Sequence, residues 1–246
     1  MMQLVLSLFP GIGLLDMAFE QEGFCIVRGP DRLWGGRIET FHPPAGKFDG
    51  VIGGPPCQLF SVMKRLNPRA GEKHGNLIPE FERCVQEANP AWFLMENVWP
   101  DSPKPSVPGY LVHRQCVRDV WVGGETRRAR AISFGTREGR SLWIEILALH
   151  RPDPEPSVLT GGGGARVPVR LGGSGRQKRT FNGRGGPSSG RRASVQEMAR
   201  LQGFPAGIFG ADTPFTVEAQ RRMLGNGVPL AMGRAVAQAV KRAVGP

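Results

Sequence analysis

The sequence predicts an α/β fold with a mixed, mostly parallel sheet and helices on both faces. Three observations carry this prediction. Short apolar runs alternate with helical stretches over most of the chain. The first apolar run passes through a glycine turn directly into a helix, as happens at the carboxyl edge of such a sheet. The groups with chemical potential, Gly11 to Gly13, Cys57 and Glu96, each follow a strand-like run, which would gather them along that one edge.

Leu4 to Phe9 is a short apolar run and is expected as a buried strand. Pro10 to Gly13 is a turn, and Leu14 to Gln21 reads as a helix with Leu15, Ala18 and Phe19 on one face. Phe24 to Arg28 and Phe48 to Ile52 are the next strands, the latter ending at Gly53. Pro79 to Ala88 is helical with Phe81, Val85 and Ala88 inward, and Trp92 to Met95 is a fourth strand. Arg118 to Val122, Arg130 to Phe134 and Leu142 to Leu149 read as further strands. Ser194 to Leu201 and Leu230 to Ala243 are helices, and no internal repeat is visible.

With 246 residues, 40% of them hydrophobic, the chain can bury one large core or two small ones. Its four cysteines are scattered and form no Cys-x-x-Cys pair, so neither a disulfide scaffold nor a zinc site is expected. A reducing compartment fits this usage. No apolar run approaches the roughly 18 residues of a membrane span. The apolar start, Met1 to Pro10, lacks a basic flank and a small-residue cleavage site, so it is read as strand, not signal peptide.

The formal net charge is +11. Such a balance suits a polyanionic partner, and it also suits a genome rich in Arg and Gly codons. Distribution says more than the total. Gly161 to Arg192 holds eleven Gly, seven Arg, one Lys and no acid in 32 residues. That stretch is too poor in large apolar residues to form a core of its own. It reads as a basic arm, with Arg166, Arg170, Arg176, Lys178, Arg179, Arg184, Arg191 and Arg192 as phosphate contacts, or else as a flexible linker. The chain therefore divides into 1–155, a short basic segment 156–193, and a returning segment 194–246.

Three motifs carry chemistry. Phe9-Pro10-Gly11-Ile12-Gly13 lets the backbone approach a ligand, and Asp31 after the second strand can accept ribose hydroxyls. Gly53-Gly54-Pro55-Pro56-Cys57-Gln58 is stiffened by two prolines and would hold a thiol in one place. A free thiol, with a pKa of about 8.5, is only slightly ionised at neutral pH, and nearby cations raise that fraction. Glu96-Asn97-Val98 follows a strand and should share the edge with Cys57. Each alone is equally a tight turn, an inert buried cysteine or a helix-capping carboxylate.

Together, in this order, they resemble the DNA cytosine-5 methyltransferase family. Leu8 to Gly13 is similar to its S-adenosylmethionine loop, and Asp49 to Ser61 to its nucleophile motif. Glu96-Asn97-Val98 is similar to its acid motif, and Thr126-Arg127-Arg128-Ala129-Arg130 to its Gln-x-Arg-x-Arg strand. Val195 to Pro205 resembles the helix after its recognition domain, and Gly225-Asn226-Gly227-Val228-Pro229 its closing motif. The resemblance implies a Rossmann-like, S-adenosylmethionine-dependent methyltransferase with a small Gly/Arg-rich recognition insert. It implies Cys57, Glu96, Arg128 and Arg130 as catalytic residues. It implies Phe9, Pro10, Gly11, Gly13, Asp31, Arg32, Pro56, Asn226 and Val228 as cofactor contacts. Gln58, Ser61 and the basic arm would meet DNA. Cys57 would attack C6 of an extruded cytosine so that C5 can take the methyl group. The implied partner is double-stranded DNA, with no metal and no membrane, for a monomer in a bacterial or phage-infected cytoplasm.

Four departures from the family pattern bear on function. Leu14 replaces a Gly and is expected to narrow the methionine pocket. Arg37, within Trp34-Gly35-Gly36-Arg37-Ile38, replaces an Asp that would accept from the adenine amine. One lost hydrogen bond is worth about 0.5–1.5 kcal/mol, at most roughly tenfold in affinity. Thr126 replaces Gln, with a modest effect expected. The recognition segment is far shorter than a domain, which predicts relaxed sequence specificity. If about six cations of the arm meet phosphates, the log–log salt slope of DNA binding would be about −5. Two other readings stay open: an RNA cytosine-5 methyltransferase, and a DNA-binding relative without activity.

Overall fold

The computed structural model describes residues 2–56, 75–147, 166–167, 191–205, 207–210 and 212–245. The elements run β1 (Leu4–Leu8), α1 (Leu14–Gln21), β2 (Cys25–Arg28), β3 (Gly50–Gly53), α2 (Ile78–Ala88), β4 (Trp92–Val98), β5 (Leu111–Arg118) and β6 (Ala129–Thr136). A two-residue pair follows, β7 (Arg166–Val167) and β8 (Arg191–Arg192), then α3 (Val195–Leu201), α4 (Val217–Asn226) and α5 (Leu230–Val244).

Six strands form one sheet in the order β2-β1-β3-β4-β6-β5. The β2, β1, β3 and β4 strands are parallel, and β6 runs antiparallel between β4 and β5. This is the Rossmann-like arrangement expected from the alternation. β1, β3 and β4 are buried on both faces, so their sequences read as continuous apolar runs, whereas β2 at the sheet edge is half exposed. On one face Val5, Ile52, Trp92 and Leu94 pack with Phe19 of α1 and Val236 and Val240 of α5. On the other, Leu6, Val51, Phe93 and Met95 pack with Phe81 and Val85 of α2. A third cluster joins Leu14 and Ala18 of α1 to Met198, Leu201, Phe204, Leu224 and Leu230.

Three expectations are corrected. Arg118 to Val122 is not a strand: β5 ends at Arg118, and Asp119–Val122 is a 3-10 turn. The reason is polar and local. The buried Asp119 carboxylate accepts from the Thr126 N–H and hydroxyl, at 2.9 and 2.7 Å, and closes the chain into a loop. The stretch from Leu142 is not a strand as far as 147, because isolated bonds hold its backbone: the Leu142 and Trp143 carbonyls accept from the Gln115 and Arg242 side chains, and the Leu147 N–H donates to the Trp121 carbonyl; residues 148 and 149 lie outside the described residues. Glu96-Asn97-Val98 does not follow β4 but forms its last three residues. The strand β5 and the helix α4 were not anticipated.

Candidate active site

The register brings three of the predicted segments, those at Phe9, Gly54 and Glu96, to one edge. Leu8, Gly53 and Met95 lie side by side on β1, β3 and β4, and the chain leaves each of them at that edge. Gly53 is needed here, since a Cβ would lie 2.7 Å from the Leu8 carbonyl oxygen. On the far side Val98 pairs with Arg130, so the arginine strand opens at the same edge.

Glu96 is 7% exposed, and Arg130 Nε lies 2.6 Å from its Oε1. Among the described residues no hydrogen-bond donor meets Oε1 in line, so the contact with Arg130 is an ion pair. The other oxygen, Oε2, faces Gly54, where a Cβ would stand only 3.0 Å away. Next along, Asn97 donates from Nδ2 to the Pro55 carbonyl at 3.3 Å. The acid motif thus pins the stiff loop that leads into Cys57. Cys57, Gln58 and Ser61 themselves lie outside the described residues. Arg128 is buried beside this edge, and its N–H faces the Thr126 hydroxyl at 3.4 Å. Thr126, in the Gln position, therefore spends its hydroxyl on Asp119 and the strand entry. Two other cysteines are poor nucleophiles: burial pushes the Cys84 thiol to about 11 and raises that of Cys116.

The glycine turn is open above. Gly11 and Gly13 have φ of 56° and 81°, and nothing lies within 4 Å of a Cβ built on Gly11. Phe9 shares the left-handed conformation, with φ 56°. Asp31 ties two loops together, its Oδ2 accepting from Gly11 N–H at 2.9 Å and its Oδ1 from Leu33 N–H at 2.7 Å. Each oxygen keeps a lone pair for a ligand hydroxyl. Arg32 instead pairs with Glu39. Pro10 and Pro56 are half-buried at the edge. Asn226 is exposed at the end of α4, while Val228 is buried in the core.

Two aromatic residues to which the sequence assigns no contact complete this side. Trp34 Nε1 donates to the Gly11 carbonyl at 2.9 Å, and its ring meets Phe215 edge-on at 6.0 Å. With Ile12, Phe209 and Pro214 they line a cleft of about 500 Å³. Trp34 stood inside a motif, but its fold-back onto Gly11 had no sequence signal.

Leu14 does not obstruct this cleft. It is 2% exposed, and its side chain packs against Gly227. Arg37 is exposed and lies 3.9 Å from Glu39. Glu197 closes a capping box with Ser194, which explains its place in the motif before Leu201. Gln202, fully buried, donates to the Leu224 and Gly227 carbonyls and so fastens the closing motif to α3. In the arm, only the backbones of Arg166, Val167, Arg191 and Arg192 are described, with Arg166 opposite Arg192. Arg170, Arg176, Lys178, Arg179 and Arg184 lie outside the described residues. Among the described residues there is no group of three or more His, Cys, Asp or Glu side chains able to hold a metal, and no helix is long and apolar enough to cross a membrane.

The model of the C-5 cytosine-specific DNA methylase family matches residues 36–99 and 167–242, more than half of the chain. The chain belongs to this family. Among curated relatives, it is similar to the Type II methyltransferase M.FnuDI of Fusobacterium nucleatum, 33% identical over 114 residues, covering 38% of this chain and 32% of that one. It is 26% identical over 327 aligned positions to the Type II methyltransferase M.MthTI of Methanothermobacter thermautotrophicus, covering 97% of each. The chain spans about a third of the length of the first curated relatives it matches. Of solved structures, the methyltransferase EhMeth of Entamoeba histolytica superposes with a TM-score of 0.65 at 12% identity, covering all of both chains. A DNA modification methyltransferase encoded within an E. coli prophage gives 0.60 at 17% identity, over 99% of this chain and 100% of that one. These likenesses show the methyltransferase fold.

Proposed function

We propose that this methylase-family chain transfers a methyl group from S-adenosylmethionine to C5 of cytosine in double-stranded DNA. The observation that carries the reading is Glu96. It is a buried carboxylate at the strand edge, charge-paired through Oε1 to Arg130, with Oε2 turned to the loop at Gly54. A buried carboxylate fixed by a cation is a strong, oriented hydrogen-bond acceptor. The amine edge of an extruded cytosine would supply the donor.

The open turn at Gly11, the lone pairs of Asp31 and the cleft beside Trp34 suit a nucleoside cofactor. Phe9, Pro10, Gly11, Gly13, Asp31, Arg32, Pro56, Asn226 and Val228 surround it in this reading. S-adenosylmethionine, when bound, supplies an electrophilic methyl group. The protein's part is to make C5 nucleophilic. Cys57, as thiolate, adds to C6, forming a carbon–sulfur bond and pushing electron density towards C5. Glu96 hydrogen-bonds the N3 and amine edge as charge builds there, and Arg130 holds Glu96 in place. Arg128 adds positive charge beside the thiolate. After C5 has reacted, a base takes its proton, the electrons of that C–H bond re-form the C5–C6 double bond, and the C6–sulfur bond breaks to release Cys57 as thiolate. Base extrusion costs a few kcal/mol. Gln58, Ser61 and the arm cations Arg166, Arg170, Arg176, Lys178, Arg179 and Arg184 would offset it through phosphate contacts.

The test is methyl transfer from labelled cofactor to unmethylated duplex, with the product base identified by mass spectrometry. Cys57→Ala should abolish 5-methylcytosine while leaving DNA binding largely intact. Glu96→Gln should lower kcat by about 10²-fold or more. Product formed equally well on RNA, or unchanged turnover in Cys57→Ala, would overturn the reading.

A further inference from the structure

The outer strand β5 carries a pattern that the chemistry at Glu96 does not use. Trp99 follows the end of β4, three residues beyond Glu96, and is 42% exposed. Arg114 of β5 lies over its indole, 4.9 Å from the ring centroid. That guanidinium is itself held, donating to the carbonyls of Pro100 and Ser102 at 3.0 and 2.7 Å. Four residues on, along the same face of the strand, Arg118 repeats the arrangement over Trp121, at 5.6 Å. Trp121 is 37% exposed, and Arg118 pairs with Ala129 at the opening of the arginine strand.

An indole left half in water contributes little to the core, yet each is held in place by a cation from the same strand. Such ordered aromatic faces beside guanidinium groups fit nucleic acid, whose bases and sugars stack while its phosphates meet the cations. The strand, Leu-Val-His-Arg-Gln-Cys-Val-Arg, has no acid. The exposed carboxylates nearest in sequence are Glu125, which pairs with Arg200, and Asp101, and Asp119 is buried. At about 3.3 Å per residue, Arg114 and Arg118 stand about 13 Å apart along the strand.

We propose that this face of β5, with Trp99, Arg114, Arg118 and Trp121, is a second DNA-contact surface beside the basic arm. The indoles stack on sugars or bases left uncovered when the target nucleotide is extruded, and Arg118 meets a phosphate. Arg114 is a positioning residue for Trp99. The inference rests on the reading of the chain as a DNA methyltransferase.

The experiment measures binding of the full chain to a short labelled cytosine-containing duplex over a range of salt, with KM for DNA and for cofactor in the methylation assay. Trp99→Ala should weaken DNA binding about fivefold to tenfold, and Trp99→Phe should keep most of it. Arg118→Gln should make the log–log salt slope shallower by about 0.9. KM for the cofactor should stay at the wild-type value in all three. Variants with wild-type DNA affinity, salt slope and KM overturn the surface. Variants that lose cofactor and DNA affinity together show a packing role and overturn it too. A wild-type chain that neither binds nor methylates DNA overturns the functional reading instead.

Discussion

Leu14 and Gly227 are packed so closely that a Cβ on Gly227 would lie 2.8 Å from Leu14 Cδ1. Leu14 opens α1 just after the Pro10–Gly13 turn, and Gly227 follows α4. The bulk at position 14 is thus spent against the far end of the chain. Gly227→Ala should force Leu14 out of its packing, lower Tm and weaken cofactor binding. Leu14→Ala alone should cost about 2–5 kcal/mol, as buried leucine truncations do. The double variant should recover part of the cofactor affinity lost in Gly227→Ala, measured by calorimetric titration. Strict additivity of the two changes would show that the contact does not couple the motifs.

Asp16 is fully buried beneath the turn, bonded to the Ser7 hydroxyl and to Arg28 Nε at 2.8 Å. Burial raises its pKa above 3.8, more than the bonds from Ser7 and Arg28 lower it. The folded chain therefore holds the Asp16 proton more tightly than the unfolded chain. This favours folding at acid pH and is lost as pH rises from 3.8 through the folded pKa. Asp16→Asn does not titrate here. The stability of the wild type relative to Asp16→Asn should fall from acid to neutral pH, read as the difference in Tm. A difference that grows with pH would mean that Arg28 outweighs burial.

The Asp119–Thr126 contact sets the entry to the strand that carries Arg128 and Arg130. Thr126→Val removes a hydroxyl donor from a buried carboxylate and should cost about 1–3 kcal/mol. Thr126→Ser should restore it. Gly124→Ala should be worse, because its Cβ would stand 1.8 Å from Asp119 Oδ1. Tm and kcat should fall together in Thr126→Val if the lock positions Arg130, whereas a loss of Tm alone would make it purely structural.

Much of the site was legible because its residues sit at strand ends. Apolar runs at Leu4, Phe48 and Trp92 mark strands buried on both faces, and the motifs at Gly11 and Glu96 lie at their carboxyl ends. The strand β5 escaped notice because it lies at the sheet edge and mixes His113, Arg114 and Gln115 into its run, so its burial never alternates cleanly. Val120-Trp121-Val122 looked like a strand because its polar closure comes from Asp119 reaching Thr126, which no periodicity records. The helix α4 is mostly polar, with only Gln220, Met223, Leu224 and Gly225 buried.

By itself the sequence determined the sheet's apolar strands, the order of the motifs and the family they resemble, since each rests on residues close together in the chain. Tertiary structure decided what those residues touch. It placed Arg130 against Glu96, tied Asn97 to Pro55, folded Trp34 onto Gly11 and seated Leu14 on Gly227. These contacts join positions far apart along the chain, and their geometry follows from strand register and helix packing, which local pattern does not encode.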